Sequence, residues 1–200
     1  MEGGLLMEEP LFHGTDKCSQ ENIVNNGINL NQNPRGGDFA VGFYLTPVLR
    51  SAMDMALRKS FGSSQPSIVE LSLLKGFDSI VSVKNFGAVT PSSSNEDIIE
   101  WAQFIVNNRN GESYIKNISS KFGLGDNNLD KRYDIVIGTI ADGSVTKIAR
   151  KCKAENRIIT LNEAKNFLDK SFGLQYCIST KRGLSMINKP PREKKGVLWR

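Results

Sequence analysis

The spacing of its short apolar runs is what most constrains this chain. Tyr133-Asp-Ile-Val-Ile-Gly138 is the clearest buried strand, with three branched apolar residues closing on a glycine. Leu174 to Ser179, Val41 to Leu45, Pro10 to Gly14 and the alternating Ser67 to Leu74 read as further strands. Helices interrupt them on no regular schedule. A doubly wound parallel sheet needs regular alternation of strand and helix, so the pattern argues for an α+β fold. A Rossmann unit also needs a glycine fingerprint between strand and helix. Arg35-Gly-Gly-Asp38 leads into a strand instead, and Gly123-Leu-Gly125 has no clear strand before it.

Helix signals fill the intervals. Ser19 is placed to cap a helix to Asn26, with Gly27 beyond it. Asn29 to Ala40, rich in Asn, Gly and Pro, reads as a loop. Thr46-Pro47 opens a helix with Ala52, Met53 and Ala56 on its apolar side and Gly62 at its end. Ser94-Asn-Glu-Asp97 and Thr160-Leu-Asn-Glu163 have the capping-box layout, opening helices to about Asn108 and Phe172. Ile98, Ala102 and Ile105 share one face of the former, and Trp101 is expected to pack on the core side of that helix. Ser144 to Lys153 reads as a basic helix, and a short helix runs through Met186. Gly111 to Lys131 is polar and carries no clear pattern. Residues 1–188 are expected to form one domain, with 189–200 an extended basic tail.

Length and composition set outer limits. Two hundred residues suit one domain with a real core. No apolar run reaches the roughly 18 residues of a membrane span. Met1 to Pro10 lacks the basic-then-apolar layout of a signal peptide, so a cytoplasmic protein without membrane contact is expected. Cys18, Cys152 and Cys177 are widely spaced and odd in number, and a single histidine accompanies them. That argues against a disulfide framework and against a structural zinc site, and no metal is expected. The net charge of +5 is compatible with an anionic partner such as a nucleic acid or a dinucleotide without requiring one.

Few residues are candidates for chemistry. His13 ends a strand directly before Gly14. A lone histidine is commonly structural, but a glycine beside it lets a ligand approach the backbone. A primary amide such as nicotinamide needs one donor and one acceptor, which a single backbone residue can supply. Gly36 to Thr46 is either a loop feeding a core strand or a binding segment in which the Tyr44 ring meets a flat cationic ring. Asp142 is read as a helix cap or turn former, or as a polar group near the site. Lys147, Arg150, Lys151, Lys153 and Arg157 form a solvated basic face or a phosphate-contacting one.

Four segments carry a family resemblance. Phe12-His13-Gly14-Thr15 and Gly42-Phe-Tyr-Leu-Thr46 resemble the first two motifs of the ADP-ribosyltransferase superfamily, in its diphtheria-toxin-like, poly(ADP-ribose)-polymerase-related branch. Tyr133 to Asp142 and Leu174 to Thr180 resemble a bacterial family placed in that superfamily, and the similarity runs from about Leu11 to Ile187. The resemblance implies a split, mostly antiparallel β core with flanking helices, and NAD as co-substrate. It implies that His13 holds the nicotinamide ribose, Gly14 the carboxamide, and Tyr44 the nicotinamide ring. Thr15, Arg35, Asp38 and Phe39 are further candidates to shape the NAD site: Arg35 through the pyrophosphate, or as a solvated loop charge, and Phe39 as a second wall for the ring. Relatives place another aromatic in the helix after the Tyr44 strand, where this chain has Met53 and Met55. The third catalytic position, usually Glu, falls on Gln175, whose amide can accept a hydrogen bond but carries no charge. The resemblance thus implies transfer of single ADP-ribose units to nucleic acid or protein, with candidate roles as the toxin of a toxin–antitoxin or phage-defence system held by an antitoxin or inhibitor protein. NAD hydrolysis, or NAD or nucleic-acid binding without catalysis, are the alternatives.

Overall fold

The computed structural model describes residues 9–32, 36–61, 65–141, 144–168 and 173–199. Among these residues, seven strands form two sheets. β1 (Leu11–Asp16), β3 (Pro66–Leu73) and β7 (Ile187–Glu193) make an antiparallel sheet in the order β1-β3-β7. β2 (Phe43–Leu45), β6 (Leu174–Ile178), β5 (Ile135–Thr139) and β4 (Val83–Asn85) make the other, in the order β2-β6-β5-β4. The β4–β5 pairing is parallel, and the other strand pairs are antiparallel. The fold is therefore α+β with a mostly antiparallel core. A bridge joins the sheets: Phe12 and Thr46 exchange both backbone hydrogen bonds, at 2.8 and 2.9 Å.

Strand alternation assigns the layers. Phe12 and Ile68 face helix α2 (Leu49–Ser60), packing on Ala52 and Ala56. Their neighbours Leu11, Val69 and Leu71 face the other sheet and meet Phe43, Leu45, Ile135, Ile137 and Ile178. Val136 and Cys177 point the opposite way, into a core built on α3 (Asn95–Asn110) with Trp101, Phe104 and Ile105. α4 (Glu112–Phe122), α5 (Val145–Glu155) and α6 (Leu161–Lys165) complete that layer. β3 is covered on both faces, so Ser67 to Leu73 is buried throughout rather than alternating as its sequence suggests. Among the described residues no helix is long and apolar enough to cross a membrane.

Several element ends differ from the sequence expectation, each for a local reason. α1 (Lys17–Asn26) starts earlier, because Asp16 rather than Ser19 caps it: Asp16 accepts from both the Ser19 amide and the Ser19 hydroxyl. α2 starts later, because Thr46 is held in the sheet by Phe12. Its hydroxyl still accepts from the Val48 amide. Gly62, its expected end, lies outside the described residues. α4 fills the stretch without a clear pattern, turned at both ends by glycines with positive φ, Gly111 at 82° and Gly123 at 69°. α6 keeps the expected capping box but ends at Lys165. α7 (Lys181–Leu184) is the short helix before Met186.

The largest correction concerns the tail. The boundary expected at 188 falls inside β7, which pairs with β3. Pro190 and Pro191 are tolerated there because β7 is an edge strand, where a missing N–H breaks no inner ladder. Arg192 and Lys194 both pair with the Glu70 carboxylate, which holds that carboxyl below its usual range despite burial.

The corrected cap gives a test. Asp16→Ala is expected to cost about 1 kcal/mol of stability by urea denaturation, the usual scale of a lost N-cap. Ser19→Ala, which leaves the amide-to-carboxylate bond in place, is expected to cost clearly less.

Candidate functional site

A cavity of about 850 Å³ opens where the two sheets part beyond the Phe12–Thr46 bridge. That volume lies toward the upper end of the roughly 300–1,000 Å³ typical of small-molecule sites. His13, Gly14, Thr15, Asp38, Tyr44 and Gln175 all line it. These residues come from four separate segments, so the fold gathers most of the candidates named from sequence.

β1 supplies the first wall. Phe12 directs its N–H and C=O to Thr46, and Lys17 directs its N–H to Gln65 beside β3. Backbone polarity alternates along a strand, so Gly14 points its N–H and C=O the same way as Phe12, away from β3. At Gly14 β2 has already ended its bridge, and both groups are left to the cavity. The missing side chain has a packing reason as well: a Cβ at Gly14 would lie 1.9 Å from the Ala52 carbonyl oxygen. Thr15 is buried beside it.

His13 is tightly defined. Its ring stacks on Phe43 with centroids 4.3 Å apart. Nδ1 lies 2.7 Å from the Tyr44 carbonyl oxygen, which can only accept, so Nδ1 carries the proton. Nε2 is then an acceptor, 3.4 Å from the Lys59 ammonium. Burial, aided by the Lys59 charge and opposed by the Tyr44 hydrogen bond, lowers the imidazole to about 3. At neutral pH the site thus contains a neutral imidazole. Burial also lowers Lys59, against the pull of Asp16.

The Tyr44 ring is held from its far end. Its hydroxyl donates to the Ala40 carbonyl at 2.7 Å and accepts from the Phe39 amide at 3.0 Å. Ala40 sits at φ 71°, a left-handed conformation that turns its carbonyl toward both Tyr44 and the Gly37 amide. Gly37 lies so close that a Cβ there would come within 2.7 Å of the Tyr44 hydroxyl end. Burial, with nearby Cys177 and Asp38, raises the phenol well above its ordinary value, so it stays neutral.

β2 pairs Tyr44 with Cys177, and strand alternation puts Gln175 on the same face two residues along. The Gln175 amide nitrogen donates to Asp38 Oδ2 at 3.1 Å and to the Thr139 carbonyl at 3.4 Å. Trp101 also donates to that carbonyl, at 3.2 Å, from its fully buried place in α3. Asp38 Oδ1 pairs with Arg109 at 2.6 Å, and the Asp38 carbonyl accepts from Asn108.

Some candidates take other places. Phe39 does not form a second wall: it is fully buried in the core against Phe86 and Phe104, because it succeeds Asp38 in a tight turn and faces the opposite side. Arg35 and Asp142 lie outside the described residues. Met55 is an exposed residue at the cavity edge, whereas Met53 packs with Phe12, Ala52 and Ile68. Sequence reasoning missed Lys59 and Arg109. The available hint was the polar run Gln103, Asn107, Asn108 and Asn110 in a helix otherwise buried, which marks polar work at its C-terminal end. Among the described residues no three His, Cys, Asp or Glu side chains converge as metal ligands.

The histidine state can be checked directly, since no other histidine interferes. The His13 ring signals in an NMR titration are expected to stay fixed from pH 8 to 5. In the unfolded chain the imidazole takes a proton near pH 6.5, and in the folded chain only near 3. The unfolded state therefore binds more protons between those values, and stability falls as pH drops through that window. His13→Gln is expected to flatten this part of the stability curve, as followed by urea denaturation.

No curated protein and no solved structure matches the chain. One family does match, over residues 10–188, from the start of β1 into β7 and so across the whole cavity wall. The chain belongs to that family, described as "Protein of unknown function (DUF3990)".

Proposed function

We propose that the chain binds NAD in this cavity and transfers one ADP-ribose unit to a macromolecule. The observation that carries this reading is the Gly14 backbone. Its N–H and C=O both open into the cavity between the neutral His13 ring and Tyr44, with Gln175 lining the same space. A carboxamide uses one adjacent donor and acceptor together. The motif resemblance of these same residues supports the assignment.

Each residue then has one task. Gly14 N–H donates to the carboxamide oxygen, and Gly14 C=O accepts from the carboxamide nitrogen. Tyr44 packs on the pyridinium face. His13 Nε2 accepts from a ribose hydroxyl, and its neutral state suits that role. Gln175 Oε1 stands near the anomeric carbon and accepts from a second hydroxyl. In the reaction the C1′–N bond breaks, and its electron pair leaves with the nicotinamide nitrogen, which becomes neutral. A lone pair of the acceptor forms the new bond to C1′, and the acceptor releases its proton to solvent. No acid is needed for this leaving group. The protein's work is orientation, water exclusion and support of developing positive charge.

Nucleic acid is favoured slightly over protein as the acceptor. The first turn of α5 lines the cavity at Val145 and Thr146, and Lys147 and Arg150 come after it on the exposed side. Neither has an ion pair among the described residues. By contrast Lys151 and Arg157 are paired with Glu163, and Lys153 donates to the Asn110 carbonyl. Single-unit transfer is the outcome expected of the neutral Gln175.

Labelled NAD tests the proposal. Purified protein with cell lysate is expected to place label on material that nuclease removes and protease does not. His13→Ala and Gln175→Ala are each expected to lower nicotinamide release by about 10²-fold or more. Protease-sensitive label reassigns the acceptor. Free ADP-ribose alone makes the chain a hydrolase, and intact NAD after prolonged incubation overturns the enzymatic reading.

A further inference from the structure

Building on that reading, we propose that Asp38 is a positioning residue that fixes the Gln175 amide and lends it the negative charge it lacks, with Arg109 holding Asp38 in place. Asp38 is a buried carboxylate, yet neither of its oxygens is spare. Oδ1 binds Arg109 at 2.6 Å and Oδ2 accepts from Gln175 Nε2 at 3.1 Å. Only one tenth of its side chain is exposed, against about a third for Arg109. Both oxygens are engaged by protein partners, so the carboxylate's route to a ligand runs through Gln175.

The geometry decides which end of the amide faces the cavity. A carboxylate can only accept, so it selects the amide nitrogen. The Thr139 carbonyl, a second acceptor, takes the same nitrogen. Two acceptors on Nε2 orient the group, and Oε1 accepts none of the hydrogen bonds among the described residues. It is the atom left for a ligand. A hydrogen bond from an amide to a carboxylate is charge-assisted and polarises the amide toward its oxygen. Gln175 and Asp38 are both buried, which strengthens the effect. The pair therefore places partial negative charge where a glutamate would place a full one.

The loop and helix geometry supports a dedicated arrangement. Arg109 is the exposed residue in the otherwise buried last turn of α3, next to Asn108, which donates to the Asp38 backbone carbonyl at 3.2 Å. Two successive α3 residues thus clamp one loop residue, by its side chain and its main chain. The subsite so formed suits a centre of developing positive charge flanked by hydroxyl donors.

The experiment moves the charge by one side chain. Asp38→Asn is expected to lower kcat for nicotinamide release by about tenfold to a hundredfold, with KM for NAD changed less than about threefold. The double variant Asp38→Asn with Gln175→Glu carries its charge at position 175 and is expected to recover at least about tenfold over Asp38→Asn alone. A merely structural Asp38 gives additive losses instead and no recovery. The second readout needs no activity. In the ¹⁵N-labelled full chain, the Gln175 side-chain NH₂ signals, assigned by their loss in Gln175→Glu, are expected to shift in Asp38→Asn. Should Asp38→Asn fail to fold by thermal melting, Arg109→Gln is used for both readouts, with the same direction expected. Unchanged kcat, a loss in KM alone, or additive behaviour overturns the proposal. If the wild type releases no nicotinamide, the enzymatic reading fails, and the NH₂ signals decide this inference: a shift supports it and unmoved signals overturn it.

Discussion

The paired hydrogen bonds between Phe12 and Thr46 govern how the two halves of this molecule meet. Among the described residues they are the backbone bridge that joins the two sheets. They fix the direction of backbone polarity in β1, and so aim Gly14 at the cavity. They also hold the end of β2, so the Tyr44 carbonyl reaches the His13 ring. A shift of one residue at this bridge would turn the Gly14 groups toward β3 and move His13 off Tyr44. Two strands that touch once and then part make a cleft whose walls are backbone as much as side chain.

Around that join, the site is braced from the core outward. The Thr139 carbonyl accepts from both Trp101 and Gln175, so a fully buried indole and a cavity-lining amide share one anchor. The loop before β2 is tied to α3 through Asp38, and its Phe39 is sunk between Phe86 and Phe104. The Tyr44 hydroxyl then closes the loop on itself through Ala40. Side chains that hold ligands well are themselves held by packing and hydrogen bonds.

Legibility in the sequence tracked the range of the forces involved. β5 and β6 were readable because branched and apolar residues cluster within five positions. The caps at Ser94 and Thr160 were readable because both partners lie three residues apart. His13, Gly14, Tyr44 and Gln175 are candidates named from short motifs, and the fold brings them to one cavity. What failed was of longer reach. Asp38 and Arg109 lie 71 positions apart, and no local pattern joins them. Which of the neighbours Asp38 and Phe39 faces the cavity depends on a turn built around Ala40 at positive φ, a conformation alanine seldom takes. β7 was hidden by its prolines and charges, which suit an edge strand and disguise it as a tail. α4 was hidden because it buries only Tyr114 and Ile118, one turn apart in a polar segment.

β6 sits between β2 and β5, so its neighbours in space come from earlier in the chain. Loop closure over such separations is costly, and folds dominated by these pairings assemble slowly. A growing polypeptide can form the β1–β3 pair and present His13 and Gly14 while the place beside Tyr44 stands open. Gln175 takes its place only once β6, which follows β2 and β5 in the chain, has paired with them. The cavity is thereby timed by topology: its Gln175 wall is made after those of β1 and β2, and until then the chain is a scaffold with an open side.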